Sequence, residues 1–192
     1  MTRLFLVRHG PTHAKSMVGW SDLPADLSDL AQIDRLSGYL PADAIVVSSD
    51  LLRSTATADA IQGSRQRLNH RPELREIHFG QWELRSAAEI EAEDAALARA
   101  YWETPGDVRP PGGESWNDAR ARIDPGIDRL IAEHKGRDLV VVVHFGVILT
   151  QLQRAHDISA YEVLAQRIDN LSVTEIAHHK GQWSVGAINH LP

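Results

Sequence analysis

The chain has 192 residues, 43% of them apolar and 24% charged, the balance of a globular protein large enough for one well-filled core. Twenty Lys and Arg against 26 Asp and Glu give a net charge of −6, so no basic field exists to hold nucleic acid or an anionic membrane, and any anion site has to be local. Cysteine is absent, which removes disulfides, thiolate metal sites and a cysteine nucleophile. Leu4-Phe5-Leu6-Val7 reads as a strand buried on both faces, and it stops at Arg8-His9-Gly10. Pro11–Pro24 is a loop of turn formers enclosing Gly19 and Trp20. Ser28 is the expected N-cap of a helix whose apolar positions Leu30, Ile33, Leu36, Tyr39 and Leu40 keep helical spacing, and Pro41 ends it. Ala44–Ser48 is a second buried strand, followed after Ser49-Asp50 by a helix to about Ile61 that Gly63 stops. Leu68–Arg71 is a short third strand, and Ser86 opens an Ala- and Glu-rich helical segment running to about Trp102. Thr104–Gly113, rich in Pro and Gly, is a loop or lid. Ser115 begins a long helix reaching His134, Asp138–Val143 is the most emphatic strand, and Val147–Ala155 is helical. Leu171–His178 and Trp183–Asn189, separated by His179-Lys180-Gly181-Gln182, form a closing hairpin.

Strands alternating with helices give a three-layer α/β/α arrangement with a mostly parallel central sheet, one domain over residues 1–192. Leu4–Val7 is far too short for the apolar region of a signal peptide and Leu139–Val143 too short to span a bilayer, so the expected location is the cytoplasm.

In an open α/β sheet, ligands gather at the carboxyl ends of the strands. A guanidinium and an imidazole there, at Arg8 and His9, suit a phosphate, and Gly10 lets backbone approach closely. Val140-Val141-Val142-Val143-His144-Phe145-Gly146 repeats the layout: buried strand, terminal His, Gly, helix. One such His is ordinary, whereas two point to a pocket. Arg53 falls in the first turn of the helix after the second strand, and Glu76 lies in a stretch mixing acids with Phe79 and Trp82. The adjacent pair His178-His179 is a poor chelate, because neighbours on a strand face opposite sides, so no metal site is expected.

These pieces, in order, are Arg8-His9-Gly10 with Thr12; Ser49-x-Leu51-x-Arg53 with Thr57-Ala58; Leu74-x-Glu76 with Phe79-Gly80-x-Trp82-Glu83; Gly113-Glu114-Ser115; and His144 with Gly146. Together they resemble the histidine phosphatase superfamily of phosphoglycerate-mutase-like fold, over nearly the whole chain. The resemblance implies a metal-independent phosphomonoesterase that needs no cofactor and acts on a small phosphate ester. His9 would take the phosphoryl group as a covalent intermediate, Arg8 and Arg53 would bind its oxygens, and His144 would donate to the same oxygens. Glu76, kept protonated by burial beside the phosphate, would supply the leaving group's proton. Around this centre Thr12, Ser16, Phe145 and Trp20 are candidates for substrate contact.

Departures from the family pattern bear on the substrate. Many members carry an Asn a few residues beyond Arg-His-Gly; here Lys15 and Ser16 are the nearest positions. Pro11 replaces a common Glu or Gln, Phe145 stands where Gly is frequent, and Leu84-Arg85 where a Gly usually follows. Gly19-Trp20-Ser21-Asp22 matches a stretch seen in several members, with Trp20 either stacking on substrate or anchoring the loop. The rivals to hydrolysis are a phosphomutase, whose relatives tend to be longer and more closed, and a non-catalytic phosphate-binding module on the same fold. The closing hairpin also offers an edge to a second copy, as in a homodimer.

Overall fold

Strands form where apolar residues run without interruption. In the computed structural model, which describes residues 1–192, they are β1 (Thr2–Arg8), β2 (Ile45–Ser48), β3 (Gln66–Arg67), β4 (Asp138–Val143), β5 (Val173–His179) and β6 (Gln182–Val185). One sheet joins them in the order β3-β2-β4-β1-β5-β6. The pairs β2–β3, β2–β4 and β1–β4 are parallel, while β5 runs antiparallel to both β1 and β6.

Helices α1 (Leu30–Tyr39), α2 (Leu52–Ile61), α3 (Ala87–Glu93), α4 (Ala95–Glu103), α5 (Trp116–Glu133), α6 (Phe145–His156) and α7 (Ala160–Val163) complete the α/β architecture. Because side chains alternate across a strand, the central strands feed two cores. Leu4, Leu6, Val47, Val141 and Val143 pack with Ile123, Ile127 and Leu130 of α5 and Ile148 and Leu152 of α6. Phe5, Val7, Val46, Val140 and Val142 pack with Ile33 and Leu36 of α1 and Ala58 and Ile61 of α2. Full burial of each such side chain stabilises the fold by about 1.5–3 kcal/mol, which explains why these strands read as continuous apolar runs.

Several boundaries differ from expectation for identifiable reasons. Asp29, not Ser28, caps α1: its carboxylate accepts from the Gln32 amide, while the Ser28 amide is taken by Asp26. The Ser86–Trp102 segment is two helices, because Asp94 leaves helical geometry and its side chain accepts from the Leu97 amide to cap α4. Glu91, Glu93 and Asp94 also put negative charge at the end of α3, against its dipole. The third strand begins at Gln66, two residues before the expected start; Leu68 and Arg71 continue bonding to the carbonyls of Val46 and Ser48 before Pro72 ends the segment. The helix expected over Val147–Ala155 begins at Phe145 and ends at His156. In the hairpin, Lys180 (φ +50°) and Gly181 (φ +81°) make a tight two-residue turn. The expected strand to Asn189 stops at Val185, since Gly186 and Ala187 both bond to Glu175 and bulge out of register. His178 is half-buried, its ring 4.7 Å from that of Trp183, while His179 beside it is exposed. No helix is long and apolar enough to cross a membrane.

Candidate active site

The sheet order brings three strand ends side by side. Arg8 pairs with Val143 and Ser48 with Val142, so His9, His144 and Ser49 emerge together at the carboxyl edge. The amides of His9 and Ser49 continue the ladder, donating to Val143 and Val142 at 3.1 and 3.2 Å. That edge opens into a cleft of about 250 Å³, whose walls include Arg8, His9, Thr12, Ser16, Arg53, Glu76 and Phe145.

His9 is buried, and its Nδ1–H donates to the Gly10 carbonyl at 2.7 Å. This fixes the tautomer and leaves Nε2 with its lone pair free. Arg53 Nε–H points at that nitrogen from 3.2 Å. Burial, and then the charges of Arg53 and Arg8, push the imidazole pKa down to about 3, so His9 is neutral at physiological pH.

Arg53 is only 1% exposed, at the start of α2. Its terminal nitrogens donate to the carbonyls of Ser21 and Gly19 at 2.9 and 2.6 Å. The loop carrying those carbonyls is gathered on Glu83, which accepts from the amides of Gly19, Trp20 and Ser21 and from the Ser21 hydroxyl. Burial works against the Glu83 charge, but these donors outweigh it and hold its pKa below the usual range. A side chain at Gly19 would begin 2.1 Å from the Ile77 carbonyl oxygen, so the loop closes only over glycine. Arg8 donates from one terminal nitrogen to the Ile168 carbonyl at 2.5 Å and lies over the Phe145 ring at 5.4 Å, while its buried Nε has no partner in the protein.

His144 is wholly buried behind the cleft, its ring centroid 5.1 Å from that of His9. Ser49 Oγ lies 2.7 Å and Ser54 Oγ 3.3 Å from its Nε2. The Ser49 and Ser54 hydroxyls thus both face Nε2, while Nδ1 is a buried atom without a protein partner. Burial, then His9 and the nearby arginines, hold this ring neutral as well. Arg8 Nε and His144 Nδ1 are thus two buried nitrogens unsatisfied by the protein; Arg8 lines the cleft and is open to an anion there, while His144 lies behind its wall.

Glu76 takes the opposite electrostatic course. Burial raises its carboxyl pKa, only partly offset by the amides of Ile77 and Gly146 and by the two arginines. The Gly146 amide, at the first turn of α6, lies 3.1 Å from both carboxyl oxygens. A Cβ at Gly146 would stand 2.4 Å from Glu76 Oε1, so glycine is required there. From below, Arg122 donates to the carbonyls of Glu73, Arg75 and Glu76 and is itself paired with Glu114.

Some expected contacts are placed elsewhere. Trp20 does not line the cleft: its indole N–H donates to the Glu76 carbonyl at 2.7 Å, and Arg75 and Arg122 stack on its ring. It anchors the Glu76 segment, the second of the two roles open to it. Lys15 is exposed and off the lining, whereas Ser16 lines the cleft. Leu84 holds φ +60°, which explains why glycine would suit that position. Ser49, Ser54 and Glu83 went unassigned although all lie inside motif stretches, because a hydroxyl or carboxylate in a motif does not say which neighbour it meets. Asn170 had no signal at all; its amide donates to the His9 carbonyl at 2.8 Å. No group of three His, Asp or Glu side chains comes together as a metal site.

Residues 4–191 match the family model of the histidine phosphatase superfamily, branch 1. The chain is 32% identical over 197 residues to the bifunctional protein Rv2228c of Mycobacterium tuberculosis; the match covers 98% of this chain and 54% of that protein, so the chain spans about half its length. It is 28% identical over 193 residues to the adenosylcobalamin/alpha-ribazole phosphatase of Escherichia coli, covering 97% of this chain and 90% of the relative. The structure of Bacillus stearothermophilus YhfR superposes with a TM-score of 0.91 at 27% identity, over 100% of this chain and 98% of that one.

Proposed function

Because the chain belongs to branch 1 of the histidine phosphatase superfamily, we propose that it is a metal-independent phosphomonoesterase that hydrolyses a small phosphorylated metabolite through phosphohistidine at His9. The observation that carries this reading is the pairing of opposite protonation states in one cleft: a neutral imidazole with an unprotonated Nε2, and a carboxyl held toward its protonated form.

In the first step His9 Nε2 gives its lone pair to phosphorus while the bond to the ester oxygen breaks. The departing oxygen takes the proton of Glu76. Arg8 and Arg53 hold the equatorial oxygens, and Arg53 Nε–H passes from His9 to a phosphoryl oxygen as the group arrives. His144 Nδ1–H donates to the same group, where charge accumulates during transfer. Water then attacks phosphorus, Glu76 takes its proton, the P–N bond breaks and inorganic phosphate leaves. Positioning and charge stabilisation account for nearly all the catalysis such a transfer requires. The similarity to an adenosylcobalamin/alpha-ribazole phosphatase supports hydrolysis, and that to a probable phosphoglycerate mutase of Proteus mirabilis, 26% identical over 205 residues, keeps transfer to a second alcohol as the rival.

The test is incubation with p-nitrophenyl phosphate in the presence of chelator, with trapping of labelled protein. Expected are turnover, an acid-labile phosphoryl group lost in His9→Ala, and release of label to water even when an acceptor alcohol is added. Tight phosphate binding with no turnover would favour a binding module, and release to the alcohol a mutase.

A further inference from the structure

On the Glu76 side, the phosphoryl cleft continues into a narrow annexe of about 40 Å³. Its walls include Tyr101 and Trp102 of α4, Trp116 of α5, Val108 of the Pro- and Gly-rich segment before α5, Ile77 beside Glu76 and Leu164 at the end of α7. Glu76, Phe79, Trp102 and Phe145 line both spaces, so the carboxyl sits where they meet. An ester with its phosphorus on His9 and its alcohol half in the annexe therefore has its bridging oxygen beside the proton donor.

The annexe is chemically one-sided. Glu76 is the one charged group on its walls, and the Trp116 indole N–H is already taken by Gln153 at 2.7 Å. In the cleft the only cations on the lining are Arg8 and Arg53, both engaged with the phosphoryl position. A carboxylate or second phosphate on the alcohol half would meet no counter-charge and would lie near Glu76. An apolar group would instead cover Trp102, a residue 46% exposed overall that lines both spaces. The annexe volume admits a ring edge or short branch, with the remainder against Trp102 and Phe145 in the cleft.

We propose that the substrate is a phosphate monoester whose alcohol half is uncharged and apolar, an aryl-bearing or branched alkyl alcohol, seated against Trp102 in this annexe. The proposal rests on the phosphatase reading above. Benzyl phosphate, ethyl phosphate and 3-phosphoglycerate test it, because all three leave as alkyl alcohols and differ mainly in the group that the annexe receives. Expected for the full chain is a kcat/KM for benzyl phosphate about 10- to 100-fold above that for ethyl phosphate, the range that burying one ring supplies, and 3-phosphoglycerate below both. Trp102→Ala should narrow the benzyl-to-ethyl ratio about 10-fold. Val108→Lys, on a half-buried loop position, should lower benzyl phosphate and raise 3-phosphoglycerate. Equal rates for benzyl and ethyl esters, or 3-phosphoglycerate hydrolysed fastest, would overturn the annexe assignment while leaving the phosphatase intact. If none of the three is hydrolysed, the phosphatase reading fails separately. Affinities measured with benzylphosphonate and ethylphosphonate then decide the seat alone: tighter benzyl binding supports it and equal affinity overturns it.

Discussion

The two halves of the cleft are built by different means. The phosphoryl half hangs on the ends of β1, β2 and β4, whose registers fix His9, Ser49 and His144 relative to one another, and on Arg53 held by two loop carbonyls. The alcohol half is walled by α4 and the loop before α5, where apolar contact replaces buried polar networks. A sheet edge cannot change one group without disturbing its neighbours in the ladder. A helix wall can exchange side chains singly, so the first half is suited to fix the chemistry and the second to choose the substrate.

That contrast is sharpest at Arg53. Arg53→Ala should lower kcat/KM for every phosphate ester by on the order of 10²- to 10³-fold, since it removes both a phosphoryl donor and the anchor of the Gly19–Ser21 loop. Steady-state rates on two unlike esters check this, and a loss confined to one ester would break the division of labour. Glu76→Gln should cost about 10²-fold on alkyl esters and much less on p-nitrophenyl phosphate, whose leaving group departs without a proton. The pH profile follows from the same groups. Burial raises the Glu76 pKa, so the acid form is present at low pH and is lost as pH climbs through that raised value; activity on alkyl esters falls on the alkaline side. Burial and the arginines hold His9 neutral down to about 3, so the acid limb of kcat/KM lies well below 6.5, the ordinary histidine value.

Ser49→Ala should cost about 10-fold in kcat with little change in KM, because it frees His144 to take the other tautomer without touching substrate. A change in KM alone would place Ser49 in binding instead. The smallest effect is expected in the wall: Asp94→Ala removes the cap of α4 and should cost about 1 kcal/mol of stability, read as a lower Tm. Its kcat on p-nitrophenyl phosphate should stay within about 2-fold.

The same division decided what could be read from the sequence. One apolar run ended by His is ordinary, but two point to a shared pocket; His9 and His144 were legible for that reason. The strand order that seats β4 between β2 and β1 depends on long-range pairing and is not written locally. Trp20 illustrates the limit: an aromatic beside Gly in a loop is equally suited to a ligand or to Glu76's carbonyl, and only the fold chooses. The break at Asp94 was invisible because Ala and Glu favour helix on both sides of it, and a single capping carboxylate decided the outcome. The annexe assembles Ile77, Trp102, Trp116 and Leu164 from four separate segments, a convergence that no periodicity encodes.

Gly146 carries one more implication. The Glu76 carboxyl occupies the space where a methyl group at that position would have to go, 2.4 Å from its Oε1. Gain of a single carbon there would displace the Glu76 carboxyl while sparing His9, Arg8, Arg53 and His144, which on the proposed mechanism would separate phosphate binding from turnover. A substitution at this glycine therefore acts on Glu76 while every other motif side chain stays in place.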